Sequence, residues 1–343
     1  MNKILFVHPI NDFTGSTKVL NNVIKMNFKE YSKILLTMTI NAGPLSELED
    51  LQIINIIFPI YKGKKIPFLS SLISLIDRII KMIYLCSKVD IIYINTIKPY
   101  YAAIIAQLFR KKIIWHIHEK FTQKSLATKV MEWTLSHTNA HFLFVSNYVR
   151  KQYNISNKST FEIKYNQLDP LFLERVKVIP IKERPKNRIL MICSFTKAKG
   201  IYTFVEVAKL LPQYRFTLVI STDLININNF ITETQPPVNC HILPVQINVN
   251  DIYFNNDLVL NLSVPSLCIE TFGMTIIEAF AYGLPVIVPN VGGPTEIVDD
   301  KYNGRIVDVN DVGKIQEAIC EILADSNYDK YAMHAFQSSK MYM

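Results

Sequence analysis

The chain carries neither of the glycine-rich signatures with which a strand-to-helix turn commonly holds a nucleotide. No G-x-G-x-x-G follows the first apolar run, and no G-x-x-x-x-G-K-[ST] occurs. An Asp-x-Asp pair, of the kind that would hold a divalent ion against a diphosphate, is missing too. A phosphate-handling site here would have to use backbone amides and basic side chains. The five cysteines, Cys86, Cys193, Cys240, Cys268 and Cys320, are widely scattered, with no Cys-x-x-Cys pair and no histidine at zinc-site spacing. That argues against a disulfide framework or a zinc site, and buried reduced thiols are expected. Long hydrophobic runs are also lacking: IPFLSSLISLI stops at Asp77 and Arg78, short of the roughly 20 residues a spanning helix needs. The start, MNKILFVHPIND, offers only ILFV before His8 and Pro9, too little for the apolar region of a signal peptide. The expectation is a cytoplasmic protein that does not cross a membrane.

What is present suits a globular chain with a large core. Nearly half of the 343 residues are hydrophobic and about a fifth are charged, and the length favours two domains. Charge is uneven. Residues 1–170 hold 22 Lys and Arg against 11 Asp and Glu, and the remainder holds 15 against 18. The basic half should face something anionic. Nucleic acid would be one such partner, but no helix-turn-helix, zinc-finger or RNP-type pattern accompanies the charge, so none is expected. An anionic membrane surface is the other. The segment KGKKIPFLSSLISLIDRIIKMIYLCSK, residues 62–88, mixes Lys62, Lys64, Lys65, Arg78, Lys81 and Lys88 with apolar stretches. It reads either as an interfacial helix or as a half-buried helix with solvated lysines at its ends.

Along the first half, apolar runs alternate with helical patterns: KILFVH, STKVLNNVIKMN, KILLTM, DIIYINT, YYAAIIAQLF, KKIIWHIH and HFLFVS. Strand and helix taking turns predict a parallel sheet covered on both faces. Residues 151–187 are polar and end in KVIPIKERPKN, which reads as a linker. A second alternation follows, through RILMICS, IYTFVEVAKLL, RFTLVI, NCHILPV, DLVLNLS and NGRIVDV to the helix VGKIQEAICEIL. The expected organisation is an α/β pair of doubly wound, Rossmann-like domains: an N-terminal one over 1–170, a hinge over 171–187, and a C-terminal one over 188–343. In such sheets ligands bind beyond the carboxyl ends of the strands, so a cleft between the two sheets is the expected site.

Two segments carry groups suited to phosphate and sugar. After RILMICS, the loop FTKAKG places Lys197 and Lys199 at the carboxyl end of a strand and before a helix, although loop lysines are commonly just solvated. The stretch CIETFGMTIIEAFAYGLPVIVP puts Glu270 in a loop, Gly273 at a turn and Glu278 on the helix that follows. An unpaired carboxylate is costly in such apolar company, which suggests one carboxylate for a vicinal diol and one nearer a reacting centre. In WHIHEKF, alternation places His116 and His118 on one face of a strand, where either could be a hydrogen-bonded core histidine.

The spacing Glu270-x7-Glu278, with TFGMT between and GLPVIVPNVGGPTEIV after, resembles the signature of family 4 retaining glycosyltransferases with the GT-B fold. Gly15 and Ser16 in FTGSTKVL, the pair His118 and Glu119, VSNYVRKQY, YNQLD, Lys199-Gly200 and NGRIVDV match in order along most of the chain. The resemblance implies transfer of a sugar from a nucleotide donor with retention and without a metal or other cofactor. It implies that Lys199 binds the diphosphate and Glu278 the ribose hydroxyls. Glu270 and the amides of Phe272, Gly273, Met274 and Thr275 would hold the donor sugar, and His118 would lie near the reacting carbon. Gly15, Ser16, Ser194 and Lys197 complete the expected donor site. Two departures stand out: Ser194 occupies the place where many members carry an arginine, which Lys197 could replace, and the sequence ends at SSKMYM where a terminal helix crossing back would be expected. The function expected is a membrane-associated glycosyltransferase of surface polysaccharide synthesis, its acceptor a saccharide or lipid-linked alcohol. The alternatives are a GT-B nucleotide-sugar epimerase or phosphorylase, and a nucleotide-sugar binding protein without catalysis.

Overall fold

The computed structural model describes all residues except 1, 13, 39–42, 58–66, 121–124, 178–179 and 245–247, with the backbone alone over 67–71. Lys62, Lys64 and Lys65 lie outside the described residues. The chain divides into two compact units, residues 1–165 and 166–343.

The first unit runs β1 (Lys3–Ile10), α1 (Gly15–Asn27), β2 (Ser32–Met38), β3 (Leu51–Asn55), α2 (Pro67–Cys86), β4 (Ile91–Asn95), α3 (Tyr100–Leu108), β5 (Lys112–Ile117), α4 (Leu126–His137), β6 (His141–Phe144), α5 (Asn147–Arg150) and β7 (Thr160–Ile163). Its seven strands are all parallel, in the order β3-β2-β1-β4-β5-β6-β7. Ile4, Leu5, Phe6 and Val7 of β1 are buried without alternation, as a strand covered on both faces requires. The connections through α2, α3 and α4 all advance across the sheet in one direction. Right-handed crossovers therefore set these three helices on one face, and α1, which runs the other way, on the opposite face.

Two strands escape the sequence pattern. β3 is short, and β7 lies inside the polar stretch 151–187. β7 is an edge strand with three of its four residues exposed, so it needs no apolar run to form; pairing with β6 suffices.

The second unit holds α6 (Pro170–Glu174), β8 (Arg188–Ser194), α7 (Ile201–Leu210), β9 (Arg215–Ser221), α8 (Leu224–Thr234), β10 (Cys240–Pro244), α9 (Asn250–Phe254), β11 (Leu258–Leu260), α10 (Met274–Ala281), β12 (Val286–Pro289), α11 (Pro294–Ile297), β13 (Gly304–Val307), α12 (Val312–Leu323) and α13 (Asp325–Ser339). Its parallel sheet is ordered β10-β9-β8-β11-β12-β13. The stretch read as a hinge is fastened to this unit. The buried Arg184 donates to the carbonyls of Asn256 and Tyr282, each at 2.7 Å, and Asn250 Nδ2 donates to the carbonyl of Phe172. All five cysteines are free, but only Cys86 and Cys240 are buried. Cys320 is exposed, because it falls outside the inward stripe of α12 formed by Ile315, Ala318, Ile319 and Ile322.

Candidate active site

In both units the strand order reverses beside the first strand, between β1 and β4 and between β8 and β11. Such a switch point opens a crevice at the carboxyl ends of the strands. The candidate residues gather at these two places.

In the second unit, β8 leads into a tight turn over Lys197–Lys199, capped by Thr196, whose side chain accepts from the Ala198 amide. Gly200 then takes φ +75°, and a Cβ on it would meet the Leu262 carbonyl oxygen at 2.2 Å, so only glycine lets the turn press against the chain leaving β11. The turn delivers the Lys199 ammonium to Glu270 Oε2 at 2.5 Å and to Ser263 Oγ at 3.5 Å. Burial alone would lower the Lys199 pKa, but the Glu270 charge and hydrogen bond outweigh it and raise the pKa, so the ammonium stays protonated.

The loop carrying Glu270 is held from behind by two glycines. The Gly293 amide donates to the Glu270 carbonyl at 2.8 Å. A Cβ on Gly292 would lie 2.3 Å from that same carbonyl oxygen, and one on Gly293 would lie 2.1 Å from the carbonyl oxygen of Thr271. Gly273, at φ +122°, then opens α10, whose N-terminus has no side-chain cap. Glu278, on α10, accepts from the hydroxyl of the buried Tyr253 at 2.6 Å. Both carboxylates thus have partners inside this unit. Glu270 faces a cation and Glu278 a phenol.

In the first unit, a hydrogen-bonded chain crosses the switch point. Asn95, the last residue of β4, donates from Nδ2 to the Ser16 carbonyl at 3.1 Å, which fixes the amide's orientation. The same nitrogen donates to His8 Nδ1 at 3.0 Å, while Asn95 Oδ1 accepts from His118 Nε2 at 2.9 Å. His118 therefore carries its proton on Nε2. His8, with Nδ1 accepting, donates from Nε2 to Thr17 Oγ1 at 2.9 Å, and Thr17 donates to Asp12 Oδ1 at 2.9 Å. Burial would raise the Asp12 carboxyl, but hydrogen bonds from Thr14 and Thr17 outweigh it and keep the pKa below its usual range.

Burial pushes the His8 pKa down to about 4, against the pull of Asp12. Burial also pushes His116 down to about 3, and burial together with His116 and His8 holds His118 well below its usual value. All three rings are neutral near pH 7. His116 is a core residue, bonded to the Tyr93 hydroxyl at 2.8 Å, and its ring centroid lies 4.0 Å from that of the half-buried His118. Glu119 Oε1 accepts from the Ile97 amide, and burial raises this carboxyl to about 6.

The structure brings Lys199 together with Glu270, and His118 together with Ser16 through Asn95. Lys197 diverges from Lys199: its ammonium is 5.1 Å from the centroid of the Tyr202 ring. Ser194 ends β8 exposed, and Phe272 is buried with its ring against Tyr342. Met274 and Thr275 form the first turn of α10, and Gly15 begins α1 with open space where a Cβ would stand. Asn95, Ser263 and Tyr253 have no role in the sequence reading, and Gly292 and Gly293 appear there only inside the stretch GLPVIVPNVGGPTEIV, with no function assigned. Asn95 had a signal, as a polar residue closing an apolar strand at the switch point.

Comparison with known proteins bears on the second unit above all. Residues 174–336 match glycosyl transferases group 1. This matched segment runs from the end of α6 into α13 and contains Lys199, Glu270 and Glu278. Sucrose-phosphate synthase of Zea mays is 35% identical over 82 residues, 24% of this chain and 8% of that enzyme, and a probable sucrose-phosphate synthase 5 of Oryza sativa is 48% identical over 59 residues. The chain thus spans less than a tenth of the length of the curated relatives it matches. Among solved structures, Anabaena Alr3699/HepE in complex with UDP and glucose aligns with 100% of this chain and 96% of its own, at TM-score 0.78 and 19% identity. WaaG, a glycosyltransferase involved in lipopolysaccharide biosynthesis, aligns with 99% of this chain and 94% of its own, at TM-score 0.72 and 12% identity. The fold is that of GT-B glycosyltransferases, two parallel-sheet Rossmann-like domains of seven and six strands.

Proposed function

We propose that the chain is a retaining glycosyltransferase that moves a sugar from a nucleotide-diphosphate donor to a saccharide or lipid-linked acceptor in surface polysaccharide synthesis. The observation that carries this reading is the Lys199–Glu270 pair at the switch point of the unit matched to glycosyl transferases group 1. A half-buried ammonium kept charged by its carboxylate suits a leaving diphosphate, whose charge grows as the sugar departs. The uncapped N-terminus of α10 adds amide donors for the sugar or its phosphate. Glu278 takes the ribose hydroxyls, with Tyr253 orienting its carboxylate. His118, Gly15 and Ser16 act on the donor from the first unit. UDP-glucose, bound in a HepE structure, is the first donor to try.

On this reading no metal is required, because Lys199 and the helix terminus carry the phosphate charge. Turnover of UDP-glucose, or of another nucleotide sugar found by thermal shift, should persist in excess EDTA. Lys199→Ala should lower it by roughly two to three orders of magnitude. A chelator-abolished rate restored by manganese, or full activity in Lys199→Ala, would overturn the assignment. One observation favours a second reading, binding without catalysis: Ser194 supplies no cation, and Lys197 is occupied by the Tyr202 ring. A nucleotide-induced thermal shift without turnover would select it. A peripheral position on the cytoplasmic face of a membrane completes the proposal and rests on the excess of basic residues in the first unit.

A further inference from the structure

Helix α2 is amphipathic the wrong way round for a water-facing helix. Its polar side chains turn toward the protein: Arg78 donates to Ser74 Oγ at 3.0 Å, Lys81 to Asp77 and to the Asn55 carbonyl, and Asp77 accepts from the Ile57 amide. Ser74 is fully buried beside Met82, Leu85 and Cys86 on this inward stripe. Leu72, Ile73, Leu75, Ile76, Ile79, Ile80, Ile83 and Tyr84 all face outward, with Ile80 62% and Tyr84 61% exposed. A surface helix ordinarily shows water the opposite face, and a contiguous apolar patch of this kind marks a docking surface. The patch continues sideways. α3 packs against both α2 and α4, and Ile104, Leu108 and Trp133 line a groove between α3 and α4, with Trp133 57% exposed.

We propose that the outer face of α2, α3 and α4 is a membrane-docking surface whose partner is an anionic lipid bilayer. Charge chooses this occupant. Lys88 beyond α2, and Arg110, Lys111 and Lys112 beyond α3, collect at the end of the layer where β4 and β5 begin. Lys129 is exposed on α4, and Glu132 is the one exposed acidic side chain on the three helices among the described residues. The unit as a whole has 22 Lys and Arg against 10 Asp and Glu. Two copies meeting through this face would bring like-charged rims together, whereas anionic headgroups neutralise them while the isoleucines enter the acyl boundary. Tyr84, with the Lys88 ammonium 5.6 Å from its ring centroid, and Trp133 have the apolar body and polar edge suited to headgroup depth. The inference rests on the peripheral-membrane reading above and supplies its face. Insertion belongs to α2, and attraction to the rim.

The test is co-sedimentation of the full chain with phosphatidylglycerol and with phosphatidylcholine vesicles, followed also by tryptophan emission. Of the two tryptophans, Trp115 is buried and donates to the Thr96 carbonyl, so Trp133 is the reporter. The protein should pellet with phosphatidylglycerol, and its emission should shift to the blue, a shift absent in Trp133→Phe. The triple variant Ile76→Ser, Ile80→Ser, Ile83→Ser should partition at least about tenfold less, since burial of apolar side chains drives insertion. These side chains are exposed, so its melting temperature and UDP-induced thermal shift should match the wild type. Wild-type binding with an equally strong triple variant would overturn the face and leave the peripheral reading standing. No binding by the wild type would overturn both. A concentration-dependent dimer abolished by the triple variant, without vesicle binding, would assign the face to a second copy. Vesicle binding with no response to any nucleotide sugar would sink the glycosyltransferase reading alone.

Discussion

Asn95 is the residue through which three others are held. Its amide can face only one way, because its Nδ2 meets the Ser16 carbonyl, and that orientation dictates the tautomers of both His8 and His118. On the proposed reaction Asn95 is a positioning residue, and His118 presents Nδ1 as a lone pair. Asn95→Ala should cost about 10- to 100-fold in turnover, the scale of a misplaced reacting group, with nucleotide affinity unchanged. Asn95→Asp gives a sharper readout. A carboxylate against the imidazole favours the charged ring, so the His118 pKa rises and turnover should acquire an acidic limb that the wild type lacks. A pH profile identical in Asn95→Asp and wild type would remove Asn95 from this role.

At the scale of elements, the loops after β8, β11 and β12 make one assembly, because glycine lets their backbones touch. Gly200 sits against Leu262, and Gly292 and Gly293 sit against residues 270–271. A methyl group on Gly293 meets backbone, which cannot rotate away, so Gly293→Ala should push Glu270 from Lys199. Turnover should fall at least about tenfold, by displacement of the pair from its working geometry. Gly15→Ala is the contrasting case, since nothing stands within 4 Å of the added carbon. Its melting temperature should hold. A drop in donor affinity would show that a ligand approaches there, and unchanged affinity would remove Gly15 from the donor site. The helical layer follows a different logic: α3 turns Ala102, Ala103, Ile105 and Ala106 inward and α2 turns in Ser74, Met82, Leu85 and Cys86, while Leu72, Ile76, Ile80 and Ile83 stay exposed.

For the whole molecule, the buried histidines set the response to acid. His8 and His116 have folded pKa values of about 4 and about 3, below the ordinary value near 6.5, so the unfolded chain binds protons that the fold refuses. The stability they contribute is complete above about pH 6.5 and is lost as the pH falls toward those folded values. Glu119, raised to about 6, acts in the opposite sense between about 4.5 and 6 and returns part of the loss. The two histidine shifts together exceed the glutamate shift. His118, also held below its ordinary value, acts in the same sense, so the first unit should be less stable at pH 5 than at pH 7 by at least roughly 2 kcal/mol. Calorimetric melting at the two pH values checks this; equal or higher melting temperature at pH 5 would show that the rings are not held neutral.

The amino-acid sequence determined the elements and their kind, because a buried parallel strand such as KILFVH is a continuous apolar run and an amphipathic helix such as VGKIQEAICEIL has its own period. It also determined the glycine-dependent turn before α10 and the Lys199-Gly200 step into α7. β7 was illegible, since an edge strand with exposed faces needs no hydrophobic signature. Only the tertiary structure decided which distant residues meet. Lys199 and Glu270 stand 71 positions apart, and their contact depends on β8 and β11 being neighbours in the sheet. Asn95 and His8 meet, 87 positions apart, because β4 pairs with β1. The direction in which α2 faces was likewise beyond the sequence. The polar stripe of α2 is plain in its sequence, but an amphipathic helix is ordinarily expected to turn that stripe to water; here the partners of Asp77, Arg78 and Lys81 hold it against the protein.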